Sequence, residues 1–152
     1  MKPVYMLLFL LGLAFTSQAQ ETKDIKNVID SKNYVFTAQS ATPIGGRYRQ
    51  LTSDYDLRIV GDSVVAFLPY FGRAFSAPMD PSRGGIQFTS TDFGYEQTDR
   101  RKGGWIISIK PKDVQDVREL TLSVTESGRA TLQVLSNSRQ SISFNGYVAA
   151  RK

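Results

Sequence analysis

Two residue types are missing altogether: the chain has no cysteine and no histidine. Without cysteine the fold has no disulfide to staple it, no thiolate nucleophile, no zinc site of the cysteine type and no acceptor for a cysteine-linked lipid. Without histidine there is no Ser-His or Cys-His couple, no imidazole metal ligand and no side chain whose unperturbed pKa lies near neutrality. An enzyme built from this sequence would have to use carboxylates, tyrosine or lysine alone. The expectation is therefore a protein that is not an enzyme, with no catalytic residues, no cofactor and no metal site; no three ligand-type residues cluster in sequence. Gly45-Gly46-Arg47 lacks the GxxxxGK[ST] spacing and gives no phosphate-cradling loop.

What is present begins at the N-terminus. Lys2 precedes twelve uncharged residues from Val4 to Phe15 (VYMLLFLLGLAF), and Thr16-Ser17-Gln18-Ala19 follows. A basic start, a short apolar stretch and small residues at Ser17 and Ala19 predict a signal peptide over 1–19, cleaved between Ala19 and Gln20. Twelve apolar residues fall well short of the ~20 a spanning helix needs, so no membrane span is expected after its removal. Cleavage leaves 133 of the 152 residues and lowers the formal charge from +5 to +4, because Lys2 leaves with the signal. That length can bury a real core. A charge so mild suits solubility and some attraction to anionic envelope polymers, and it gives no case for nucleic-acid binding.

Residues 20–32 read as a leader or a short helix, with Ile25, Val28 and Ile29 at i, i+3, i+4. From Asn33 onward the period becomes two. Tyr34, Phe36 and Ala38 alternate with polar neighbours until Thr42-Pro43-Ile44-Gly45-Gly46 breaks the run. Tyr55, Leu57 and Ile59 are joined through Gly61-Asp62 to the run Ser63–Leu68, which predicts a tight hairpin. Ile86 and Phe88 open a strand that can continue through Phe93 and Tyr95. Trp105, Ile107 and Ile109 follow Gly103-Gly104. Leu120, Leu122 and Val124 turn at Ser127-Gly128 into Ala130, Leu132 and Val134, and Ile142, Phe144 and Val148 close the chain. Eight or nine strands with short turns and one apolar side each predict a single all-β domain over 33–152: an antiparallel up-and-down barrel of the lipocalin-like kind with a short N-terminal helix. The alternative is a two-sheet β-sandwich.

Three segments are candidates for chemistry. The ring-rich run Leu68-Pro69-Tyr70-Phe71-Gly72-Arg73-Ala74-Phe75 breaks a strand with proline and glycine just where rings and a guanidinium accumulate. Tyr70, Phe71, Arg73 and Phe75 are thus the expected ligand-binding residues at a barrel mouth; the competing reading makes them a plug for the barrel end. Arg100-Arg101-Lys102 beside Gly-Gly reads as a solvated hairpin tip. Asp54 and Asp56 share a strand face about 7 Å apart, but lie opposite to the inward Tyr55 and Leu57, so a solvated rim is expected.

The segments Tyr55-Asp56-Leu57 to Val64, Leu68 to Ala74, Gly85-Ile86-Gln87-Phe88, Lys102-Gly103-Gly104-Trp105 and Asn137 to Gly146 resemble the domain of unknown function family 4251. The resemblance implies a small exported or envelope protein of Gram-negative bacteria and supplies no activity and no catalytic residues. Some relatives look lipid-anchored; this chain lacks the cysteine, so a soluble periplasmic or secreted form is expected. The resulting expectation is a binding module for a small apolar or amphipathic ligand or an envelope component. Its rival is an envelope structural or protein-interaction domain with a filled barrel.

Overall fold

The computed structural model describes residues 24–75 and 84–152. The signal peptide, its cleavage point at Ala19 and Gln20 and the first residues of the leader lie outside the described residues. Nine strands follow a helix, α1, over 24–30: β1 (Asn33–Pro43), β2 (Arg49–Val60), β3 (Ser63–Leu68), β4 (Ile86–Ser90), β5 (Phe93–Asp99), β6 (Trp105–Pro111), β7 (Val117–Val124), β8 (Arg129–Ser136) and β9 (Ile142–Ala150). All belong to one sheet in the order β4-β3-β2-β1-β9-β8-β7-β6-β5, with every pairing antiparallel. One sheet, not two, makes this a nearly closed up-and-down barrel.

Its closure follows from parity. Nine antiparallel strands put the first and last of the row, β4 and β5, in the same direction. Those two are consecutive in the chain and separated only by Thr91 and Asp92. They are therefore one continuous run that changes partner midway: its first half pairs with β3, from Leu68↔Ile86 to Val64↔Ser90, and its second with β6, from Phe93↔Pro111 to Asp99↔Trp105. At the switch the Asp113 carboxylate accepts hydrogen bonds from the Ser90 hydroxyl and from the backbone N–H groups of Thr91 (2.9 Å) and Asp92 (3.3 Å). The bend's backbone donors are thus met by a side chain where no strand partner exists.

The alternation expected from sequence places the inward set correctly. Tyr34, Phe36, Leu57, Ile59, Val64, Ile107, Ile109, Leu120, Leu122, Leu132 and Phe144 are fully buried. Large rings and branched side chains fill the interior from all sides, as small barrels require. The hairpin glycines Gly61 and Gly128 have φ of 57° and 86°, the left-handed region in which the missing Cβ removes the steric cost.

α1 docks over one end of this barrel. Ile29 is fully buried, and Ile25 lies against Gly128 in the β7–β8 turn. Asp30 accepts a hydrogen bond from Gln97 of β5 at 2.9 Å, and the Lys32 carbonyl accepts one from Gly61 N–H at 2.8 Å. Lys32 leaves the helix at φ 50° and sets its ammonium 4.7 Å from the centre of the Tyr95 ring. The tertiary contacts stabilise a helix too short to persist alone. Among the described residues no helix is long and apolar enough to cross a membrane.

Candidate functional site

The opposite end of the barrel carries the connections β1–β2, β3–β4, β6–β7 and β8–β9. Here the chain leaves β3 at Leu68 and runs through the ring-rich segment as a strap. The strap is sewn to the β8–β9 connection: Gln140 N–H donates to the Arg73 carbonyl at 3.0 Å, Phe75 N–H to the Ser138 carbonyl at 2.6 Å, and Ala74 bridges Arg139. Its other side rests on the β1–β2 turn, where Gly72 approaches Pro43.

The four residues expected to bind ligand are brought to this one end in unequal settings. Tyr70 turns inward against the core, and its single hydroxyl proton is shared between the carbonyls of Arg73 (2.8 Å) and Gln140 (3.0 Å). Burial pushes its pKa up. Phe71 is half-buried on the core, with the Arg49 guanidinium 4.9 Å from its ring centre. Arg73 and Phe75 point to solvent, Phe75 at 72% exposure. Beside them the β1–β2 turn exposes Ile44, Arg47 and Tyr48, and β2 opens with exposed Arg49; Ile44 and Tyr48 are each at 61%. Exposed rings and an isoleucine thus share one end with three arginines.

Sequence reasoning passed over the group that fixes this end. Arg139, whose side chain is only 10% exposed, lies 5.0 Å from the Tyr70 ring centre. Its guanidinium donates to the carbonyls of Gly84 (3.1 Å) and Gly85 (3.2 Å) and pairs with Asp116 at 3.4 Å. Asp116 in turn accepts from the hydroxyls of Ser136 (2.9 Å) and Ser138. One arginine therefore ties β4's entry, the strap and the β6–β7 turn together. Arg139 lies within a segment that carries the family resemblance, but nothing in its local pattern distinguishes it from a solvated loop arginine.

The other candidates follow the blander expectation. Asp54 is exposed and Asp56 pairs with Arg58 at 3.2 Å, so the two carboxylates form no acid–base pair. Arg101 and Lys102 are exposed at a turn closed by Arg100 N–H to the Gly104 carbonyl, 2.9 Å. Among the described residues no three acidic side chains converge on a metal position.

A family model described as a domain of unknown function, DUF4251, matches residues 16–148. A crystal structure of a DUF4251 family protein from Bacteroides eggerthii is similar in fold, with a TM-score of 0.64 at 13% identity, covering 88% of this chain and 92% of that one. No curated protein matches.

Proposed function

The chain belongs to the DUF4251 family, and from its geometry we propose that it is an exported, non-enzymatic binding module that holds an amphipathic, anionic envelope ligand at its loop end rather than inside its barrel. The carrying observation is the contrast between the two places. The interior is occupied by the protein's own side chains, whereas Ile44, Tyr48 and Phe75 stand in solvent beside Arg47, Arg49 and Arg73. Apolar area together with guanidinium groups suits a ligand with a hydrocarbon body and an anionic head. In this reading Arg73 and Phe75 make the contact. Tyr70 and Phe71 hold the strap in place, their hydroxyl and ring being committed within the protein.

The test is titration of the mature protein with a fluorescent fatty-acid-like probe. Binding should saturate, and Phe75→Ala and Arg73→Ala should each weaken it about tenfold, which is about 1.4 kcal/mol. Their thermal midpoints should stay within a few degrees of the parent. The filled interior favours a second reading, an envelope structural or protein-interaction domain. Absence of probe binding in the parent protein would select it.

A further inference from the structure

The outer wall of the barrel carries a second feature, far from the strap. Across β7, β8, β9 and β1 runs an open groove of about 810 Å³, lined by Gln39, Arg129, Thr131, Asn145 and Tyr147, by the hydroxyls of Ser123 on β7 and Thr125 just beyond it, and by Arg100 of the β5–β6 turn. The register orders these groups. Thr131 stands opposite Asn145 and Arg129 opposite Tyr147, two residues apart on the same strands, so the two rows are spaced by about 7 Å along the strands. The ladder breaks beside them. Between Ala38 and Ser40, β1 takes two steps while β9 takes one, so Gln39 is an extra residue that the ladder does not pair. Gly146 faces that bulge with no side chain, and the Thr37 carbonyl occupies the space a Cβ would need. The bulge and the bare glycine lie within the groove and interrupt an otherwise regular wall there.

We infer that this groove is a binding site for an acidic saccharide. Tyr147, 42% exposed, offers a ring to the apolar C–H face of a sugar. The amides of Gln39 and Asn145 and the Thr131 hydroxyl offer donors and acceptors to sugar hydroxyls, with Thr131 already donating to Asn145 Oδ1 at 2.9 Å. Two guanidinium groups and no acidic side chain line the groove, and among the described residues no ion pair engages Arg100 or Arg129. That charge selects carboxylate-bearing sugars over neutral ones. No carboxylate lines the groove, so it lacks the paired acids on which most glycosidases rely, and the role assigned to it is binding. The volume lies within the range of small-ligand sites. This site is independent of the loop end: either can fail without the other.

The test is calorimetric titration of the mature protein with tetragalacturonate and, in parallel, with maltotetraose. Tetragalacturonate should bind, with affinity falling as salt is raised, and maltotetraose should bind at least tenfold more weakly. Tyr147→Ala and Arg129→Ala, both on exposed positions, should each lower tetragalacturonate affinity at least tenfold with unchanged unfolding midpoints. Phe75→Ala at the loop end should leave it unchanged. Failure of tetragalacturonate to bind, equal binding of the neutral sugar, or binding lost in Phe75→Ala but intact in both groove variants would each overturn the assignment.

Discussion

At the residue scale one tightly constrained position is a glycine that sequence reading treats only as part of a strand. Gly146 meets Ala38 across the β1 bulge, and a methyl group there would collide with the Thr37 carbonyl. Backbone cannot yield as a flexible side chain can, so Gly146→Ala should destabilise by about 2 kcal/mol or more in urea unfolding. A cost near zero would mean that β1 and β9 can part without loss. Arg139 is the counterpart among charged residues. Arg139→Ala leaves Asp116, two loop carbonyls and the Tyr70 ring without their common partner, and should cost about 2 kcal/mol. Limited proteolysis should then cut the strap faster than the β-wall, whereas a uniform loss of protection would contradict a role confined to this end.

At the scale of elements the bent β4–β5 run is held by Asp113. The Ser90 hydroxyl, and after it the Thr91 N–H, hold the Asp113 carboxyl below its ordinary range. A depressed native pKa means the unfolded chain takes up its proton first as pH falls. The contribution is complete above the ordinary carboxylate pKa of about 4 and is lost as pH drops through the native value. Asp113→Asn should therefore lower the urea midpoint near neutrality, and the gap to the parent should narrow on acidification. A gap independent of pH would show that the charge plays no part. This bend also marks where the sequence stops being readable. Eight period-two runs were legible because a strand with one face toward the core writes a period of two into its residues. The run through Phe93 and Tyr95 was visible as continuous, but its change of partner was not, since that depends on a carboxylate more than twenty residues away. Arg49 to Ser53 went unread for a similar reason: two steps of β1 face five of β2 there, and the alternation is lost in the irregularity. The ring-rich strap could be found from composition. Which of its rings point inward could not, because Arg139 and Gln140 decide it.

For the whole molecule, one polar contact joins β1 to β5 across the α1 end of the barrel. The hydroxyls of Tyr34 and Tyr95 lie 3.0 Å apart, and burial pushes both phenols above their usual value. Raised native pKa values mean the unfolded chain loses these protons first on going alkaline. Stability is intact below about pH 10 and falls as pH rises beyond it. Tyr34→Phe should cost only about 1 kcal/mol near neutrality, because half-exposed Tyr95 can turn to water. It should also flatten the alkaline decline in a series of urea midpoints taken across that range. An unchanged alkaline slope would place the sensitivity in other groups.

The pairing of β1 with β9 has a kinetic consequence. It joins Tyr34 to Ala150, so the barrel's longest contact must wait until nearly the whole chain has been gathered, and such contacts slow folding. The start of β1 and the C-terminal residues lie side by side, with Arg151 N–H reaching the Asn33 carbonyl at 3.4 Å. A circular permutant that links Lys152 to the start of α1 and opens at Gly61–Asp62 would turn this distant seam into a local connection. The former β2–β3 hairpin would become the remote pairing in its place. Because β1–β9 is a longer ladder than β2–β3, nine paired positions against five, the exchange leaves less of the wall to be zipped last. Stopped-flow refolding of the permutant should be faster than that of the parent chain at equal denaturant.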